Sequence, residues 1–395
     1  MASSHRLPHS GGRDWGHLLR SDRTGGVALL AGTVAALVWA NWSGSSYGEA
    51  WTSVAPWSRS FGLELSVRDW FNQVLLAPFF VVIGLELRRE FLAGELATWR
   101  RASVPVLAAL GGMALPAVLY AAATAGSPGM RGWGVPMATD IAFALGALAL
   151  VGARASPRVR VFLMTLAVAD DIGSVVVLVC FYSAHVHVAW LAAGAALLAV
   201  MVCQRLASDG RAPLQVLLGL AALAAMVFAN VEAALVGVAV GVLAPPVSRD
   251  DSTGRRRTEG PRHWELRLDP LVNAVVLPVF ALANAGVPLA GSGLGSGPAL
   301  RVLAAVLAAR LLGKPTGIMV VKALASRLLT SGYDDGVVGR RLLGAGAMAS
   351  IGFTIPLLVI HATFPTGPMA AGAIVGLLAA SVVGWATGAL LLRRR

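Results

Sequence analysis

Long apolar runs, divided by short polar segments, set the pattern of this chain. A helix that crosses a bilayer needs about 20 mainly apolar residues. Twelve runs fit that length, near 25–43, 69–88, 103–124, 133–152, 160–184, 188–206, 212–229, 231–246, 268–290, 299–325, 338–362 and 368–392. Asn230 and Glu232 divide one long apolar region into the seventh and eighth of these. The segment 44–68 mixes β-branched and aromatic residues with turn formers. It fits a short hairpin or an irregular loop equally well. Segment 248–263 is rich in Arg, Gly and Asp and predicts a flexible loop.

Composition agrees with the pattern. The 395 residues are 56% hydrophobic and 13% charged, about half the charge of an average soluble domain. The expected class is therefore an all-α integral membrane protein with twelve transmembrane helices. Its domain organisation is a polar N-terminal tail over 1–24 and one transmembrane domain over 25–392. The first apolar run follows a tail carrying Arg6, Arg13, Arg20 and Arg23, and has no clear small-x-small cleavage site. It reads as a retained helix.

The net charge of +12 does not point to nucleic acid, because excess Lys and Arg in a membrane protein gathers in cytoplasmic loops. With the N-terminus inside, the inner loops hold Arg88, Arg89, Arg100 and Arg101, then Arg154, Arg158 and Arg160, then Arg205 and Arg211. The next holds Arg249, Arg255, Arg256, Arg257, Arg262 and Arg267, and the chain ends in Arg393, Arg394 and Arg395. Segments 286–298 and 362–367 carry no basic residue, and 125–132 carries only Arg131. The alternation predicts both termini in the cytoplasm. Cys180 and Cys203 fall in consecutive spans at opposite faces, which disfavours a disulfide. No cofactor-binding motif and no Cys/His metal cluster appears.

Four charges lie at membrane depth. Asp170 and Asp171 stand together inside the uncharged stretch from Val161 to Tyr182. Asp140 sits in VPMATDIAFALGALAL, and Lys314 in VLAARLLGKPTGIMVV, a span that also carries Arg310. A charge at the centre of a membrane helix costs about 2.5–3.5 kcal/mol on insertion scales. Four would cost roughly 10–14 kcal/mol if each faced lipid. They must face one another or a water-filled cavity. Three carboxylates and one ammonium leave an excess of negative charge suited to a small cation.

Of the 32 basic residues only Lys314 and Lys322 are lysine. Arg stays protonated, whereas a buried Lys can release its proton. Lys314 is thus either a titrating group or one half of a structural ion pair. Adjacent residues on a helix point about 100° apart. Asp170 and Asp171 therefore cannot aim along one line: one can pair with Lys314 while the other faces an ion.

Two spans are interrupted. Gly134 and Pro136 precede Thr139 and Asp140, and the eleventh span is broken by Gly346, Gly352 and Pro356. MATDIAF (137–143) is echoed by MASIGF (348–353) with one residue missing. Interrupted spans in matching halves are the best sequence pointer to a transporter's site. Helix ends meeting at the midplane would place partial charges there, and Asp140 could offset positive N-termini.

The segments ATDIAFALG, ADDIG, LLGKPTGI, FALANAGV and IGFT, with GLELRREFLAGEL and LGGMALPAVLY, resemble the NhaA-type sodium/proton antiporter family from about residue 25 to 392. The resemblance implies twelve helices with inverted repeats in spans 3–5 and 10–12, and broken helices 4 and 11 crossing near the midplane. It assigns Asp171 as chief cation and proton ligand and Asp170 as the partner of Lys314. Asp140 and Thr139 would sit at the crossing, with Thr139 a candidate ligand. Glu86, Arg89 and Glu90 match the family's cytoplasmic entrance, associated with pH response, although Glu86 and Glu90 alone read as a solvated helix end. A homodimer in the bacterial cytoplasmic (inner) membrane is implied, with the 44–68 segment a candidate contact. The chain departs from the family pattern at Asn72-Gln73-Val74, Glu232, Leu266 and Asp269. These changes leave the ion site intact and bear on the pH profile.

The expected function is electrogenic, pH-dependent exchange of Na+ (and Li+) for H+ by alternating access, with cation and protons competing for the aspartates. The expected partners are membrane lipids and the transported ions. Three rivals follow from the same charges. A symporter on the same fold would use Na+ or H+ to move an organic solute. An intramembrane aspartyl protease would need Asp140 with Asp170 or Asp171, but the Gly-x-Gly-Asp motif of that class is absent and Lys314 would have no part. A non-transporting sensor is disfavoured by the four midplane charges. The chain is expected not to be an enzyme.

Overall fold

The computed structural model describes residues 22–59, 64–93, 97, 99–140, 143–144, 148, 157–182, 187–206, 212–229, 233–244, 247–250, 256–259, 262–328 and 336–393. The chain is predominantly helical. Helix α1 (Asp22–Trp42) is followed by α2 (Gly44–Thr52), α3 (Ala77–Ala93), α4 (Trp99–Ala123), α5 (Pro157–Tyr182), α6 (Val188–Leu206), α7 (Ala212–Phe228) and α8 (Ala233–Leu243). A two-stranded ribbon, β1 (Val247–Asp250) and β2 (Arg256–Glu259), leads into α9 (Arg262–Leu271) and α10 (Leu277–Asn284). The C-terminal part holds α11 (Gly297–Ala308), α12 (Lys314–Leu328), α13 (Gly339–Ala349), α14 (Thr354–Thr363) and α15 (Pro368–Arg393).

Among the described residues, eight helical stretches are long and apolar enough to cross a membrane, or nine if α13 and α14, bent by 48°, form one span. This is a multi-pass membrane protein. The difference from the twelve expected runs has local causes. The seventh run is a shorter apolar helix, Pro213–Phe228, and the eighth is the 11-residue α8. Residues 230–232, which divide them, lie outside the described residues, as do most of 141–156 in the fourth run and 1–21 of the tail.

Three spans widen into a π-helical turn. The turns are Phe71–Leu75 ahead of α3, Val272–Val276 between α9 and α10, and Ala309–Gly313 between α11 and α12. Each is followed within three residues by a proline: Pro78, Pro278 and Pro315. Proline has no N–H for the carbonyl four residues back, and its ring collides with that carbonyl. In each case residue i−4 (Val74, Ala274 or Leu311) falls inside the wide turn, which accommodates the clash.

Two loops differ from expectation. In 44–68, Tyr47 and Trp51 lie one turn apart on α2 and bury against Trp39, with ring centroids 5.5 and 6.5 Å away. That contact favours helix over strand, and among the described residues the hairpin is represented by one bridge, Val54 to Ser66. Around 248–263, Val247–Asp250 and Arg256–Glu259 pair in an antiparallel register from Val247↔Glu259 to Asp250↔Arg256, and residues 251–255 and 260–261 lie outside the described residues.

Polar contacts tie α2, the wide turn Phe71–Leu75 and α14 to α10. The Tyr47 hydroxyl donates toward the carbonyls of Leu282 and Ala283 at 2.9 and 3.0 Å. Asn72 and Asn284 exchange amide hydrogen bonds of 3.0 and 2.8 Å. His361 Nε2 lies 3.2 Å from the Asn284 carbonyl.

Candidate functional site

The site forms where two interrupted segments meet. Pro128–Gly134 is a 3-10 helix, and the chain is irregular from Ala138 to Asp140 before Phe143 and Ala144 turn helical again. In the second segment α13 ends at Ala349, and residues 351–353 are irregular before α14 begins. The two irregular stretches join, because Asp140 N donates to Ile351 O at 3.1 Å. Pro356 lies in the first turn of α14, where a missing N–H has no partner to lose.

Each interruption leaves unpaired N–H groups on one side and unpaired carbonyls on the other. The N–H ends receive an anion. Asp140 Oδ1 accepts from Phe143 N at 3.0 Å, and Oδ2 accepts from Thr354 N at 3.2 Å and Thr354 Oγ1 at 3.0 Å. One carboxylate therefore caps two helix starts, where the helix dipole favours negative charge. Gly352 N is taken by Ser381 Oγ of α15 at 3.2 Å.

The carbonyl ends receive cations and a hydroxyl. Lys314 Nζ donates to Met137 O and, at 2.6 Å, to Asp170 Oδ2. Thr139 Oγ1 lies 2.6 Å from Asp170 Oδ2 and 2.9 Å from Ala349 O, so its single proton can serve one of them at a time. Both side chains of the Asp170–Lys314 pair are fully buried. Such a pair is costly to break because one buried charge would be left alone.

Helix α5 presents oxygens without a protein partner among the described residues. Asp170 Oδ1, Asp171 Oδ1 and Ser174 Oγ are buried without a hydrogen-bond partner among the described residues. Asp171 and Ser174 are 3% exposed. Residues three and four apart share a helix face, so Ser174 stands over both aspartates. Buried polar atoms are nearly always paired, and three orphans on one turn make an opening for a ligand that prefers hard oxygen donors. Among the described residues no group of three or more His, Cys, Asp and Glu side chains forms a metal cluster.

The structure thus brings Asp140, Thr139, Asp170 and Lys314 into one network, with Asp171 on the same helix as Asp170. Glu86, Arg89 and Glu90 lie apart, in the last turns of α3, although Glu86 is near enough to Asp171 for their charges to interact. Arg89 Nη1 meets Glu265 Oε2 of α9 at 2.5 Å. Sequence reasoning missed Glu265, Ser174, Thr354 and Ser350. Ser174, Ser350 and Thr354 carried a signal, since each sits in a quoted segment or directly after one. Arg310 was visible as a charge in a span and is fully buried.

Interrupted spans that meet at a buried carboxylate–lysine network, in a multi-pass helical membrane protein, define the class of secondary ion transporters. The chain belongs to the Na+/H+ antiporter 1 family, which it matches over residues 16–392; that family is itself among the cases on which the architectural rule rests. It is 40% identical to the Na(+)/H(+) antiporter NhaA 2 of Novosphingobium aromaticivorans, across 96% of this chain and 95% of the relative. It is 38% identical to the Na(+)/H(+) antiporter NhaA 3 of Frankia alni, across 95% and 87%. With the Na(+)/H(+) antiporter NhaA of Escherichia coli the identity is 35%, across 92% and 95%.

Proposed function

We propose that the protein exchanges Na+ (and Li+) for H+ across the bacterial cytoplasmic membrane, by alternating access of the α5 aspartates to the two sides. The observation that carries this reading is the set of orphan oxygens, Asp170 Oδ1, Asp171 Oδ1 and Ser174 Oγ, beside the Asp170–Lys314 pair. A carboxylate must be deprotonated to hold a cation, so binding the cation releases protons. Asp171 is the ion's principal ligand in this scheme. Asp170 divides itself between Lys314 and the ion, Thr139 steadies it, and Asp140 neutralises two helix starts. Asp170, Asp171 and Lys314 together offer more proton seats than one monovalent cation has charge, which supports electrogenic exchange. Glu86, Arg89 and Glu90 are read as the pH-responsive entrance, with Glu265 added as the partner of Arg89.

The arrangement assigned to it is one transmembrane domain over 25–392, twelve spans with inverted repeats, both termini cytoplasmic, and a homodimer that meets through the 44–68 segment. No cofactor or chemical reaction is assigned.

Everted membrane vesicles test the reading. Adding Na+ to vesicles with an acidified lumen should draw protons out, and Asp171→Asn should abolish the signal. Robust Na+-dependent proton movement by Asp171→Asn would sink it. Acid should inhibit, because protons occupy the carboxylates. If one proton competes per cation, tenfold more Na+ moves the pH of half-maximal rate down by about one unit.

A further inference from the structure

Arg310 is the largest side chain that is fully buried in the described residues, and the exchange scheme does not use it. Its guanidinium meets the ends of both interrupted segments. Nε donates to Ser350 O at 3.0 Å, Nη1 to Val135 O at 3.3 Å and Nη2 to Ala138 O at 2.7 Å. Ser350 Oγ returns a hydrogen bond of 2.6 Å to the Arg310 carbonyl. No carboxylate lies within 4.0 Å of the guanidinium among the described ion pairs. Its charge is therefore compensated mainly by carbonyl dipoles, with Asp170 and Asp140 acting from further away.

The backbone is adapted to this placement. Arg310 lies inside the wide turn Ala309–Gly313, directly ahead of Lys314. Such turns frequently mark functional sites. Gly352 supplies the space: a Cβ there would lie 2.7 Å from Arg310 Cζ and 2.8 Å from Ala138 O. Of the cation contacts to the interrupted carbonyl ends, Arg310 makes three and Lys314 one, to Met137 O.

We propose that Arg310 is a positioning residue, the permanent countercharge that holds the carbonyl ends of both interrupted segments together and so leaves Lys314 free to trade its proton. Arg cannot be deprotonated in a protein, whereas Lys can. One cation is then fixed for structure and the other is available to cycle. The second half of this statement rests on the antiport reading; the first half does not.

Two measurements on the full-length protein test it. The first is thermal unfolding in detergent. Arg310→Met should lower the melting temperature by several degrees. The double variant Asp170→Asn/Lys314→Gln, which turns the ion pair into an amide pair, should melt near wild type. If the double variant falls as far as Arg310→Met, the ends depend on Lys314 and the proposal is overturned.

The second is Na+-driven proton movement across a pH series. The charges that act on Arg310 are Asp140 from the first interruption, Asp170 from α5 and Lys314 on its own span. Removing a fixed positive charge makes protons harder to displace from the carboxylates. Arg310→Met should therefore move the onset of transport toward alkaline pH by about one unit. Arg310→Lys should keep the wild-type onset at a several-fold lower maximal rate. A wild-type onset and Na+ KM in Arg310→Met would overturn the proposal. If wild type itself moves no protons on adding Na+, the antiport reading fails and the melting comparison still decides the structural half.

Discussion

Two buried polar clusters can be set side by side. One is the amide pair Asn72–Asn284. Each side chain gives one hydrogen bond to the other and takes one back, and Asn284 gives its remaining proton to Phe280 O at 2.9 Å. The other is the crossing around Asp170 and Lys314. It is charged, and Asp170 Oδ1, Asp171 Oδ1 and Ser174 Oγ are left over. The neutral cluster pairs its two amides with each other and joins the wide turn ahead of α3 to α10. The charged cluster is held open, and its surplus is all oxygen. The two clusters thus differ in charge and in whether their side-chain oxygens find protein partners.

Single substitutions should break the comparison most sharply in the charged cluster. Asp170→Ala leaves Lys314 buried without its carboxylate and should cost about 3–5 kcal/mol, read as loss of monodisperse protein on heating and of all transport. Gly352→Ala comes next. Its methyl group collides with Arg310 and Ala138 O, and overpacking costs roughly 1–3 kcal/mol; melting temperature and transport should fall together. In the neutral cluster, Asn72→Ala strands the Asn284 amide and should cost about 1–3 kcal/mol, with Na+ KM unchanged in the surviving protein. Asn72→Leu/Asn284→Leu removes both partners at once and should be nearly neutral. A double variant that still folds but cannot transport would show that the neutral cluster has a second role. The smallest effect on stability should come from Ser174→Ala, which leaves melting unchanged and raises the Na+ KM several-fold.

The multi-pass helical character and the charges buried within the spans were legible in the sequence, because the cost of a charge in hydrocarbon is large and local. Asp170, Asp171, Asp140 and Lys314 stand out in apolar text without any structure. What could not be read was which atoms meet. Asn72 and Asn284 are 212 residues apart in the chain, and nothing local says that the NQV triplet and the FALANAGV motif are partners. Arg310 was visible as a residue, but its role depends on carbonyls from two other segments, and a backbone carbonyl leaves no mark on a sequence. The helical form of 44–52 was missed for a related reason. Tyr47 and Trp51 suit a strand by propensity, and the ring of Trp39 decides otherwise. The ribbon at 247–259 was lost in a run that reads as linker by composition.

The three wide turns also set a phase. An α-helix advances about 100° per residue, so one extra residue in a turn rotates everything after it by that angle. Lys314 follows such a turn. Deleting a single residue between Ala309 and Gly313 would leave the composition of that span almost unchanged and its length nearly the same. It would also swing Lys314 about a quarter of the way round its axis, out of reach of Asp170. The span behaves like a clock hand set by one tooth of a gear: the proline fixes where the tooth sits, and the chemistry keeps the time.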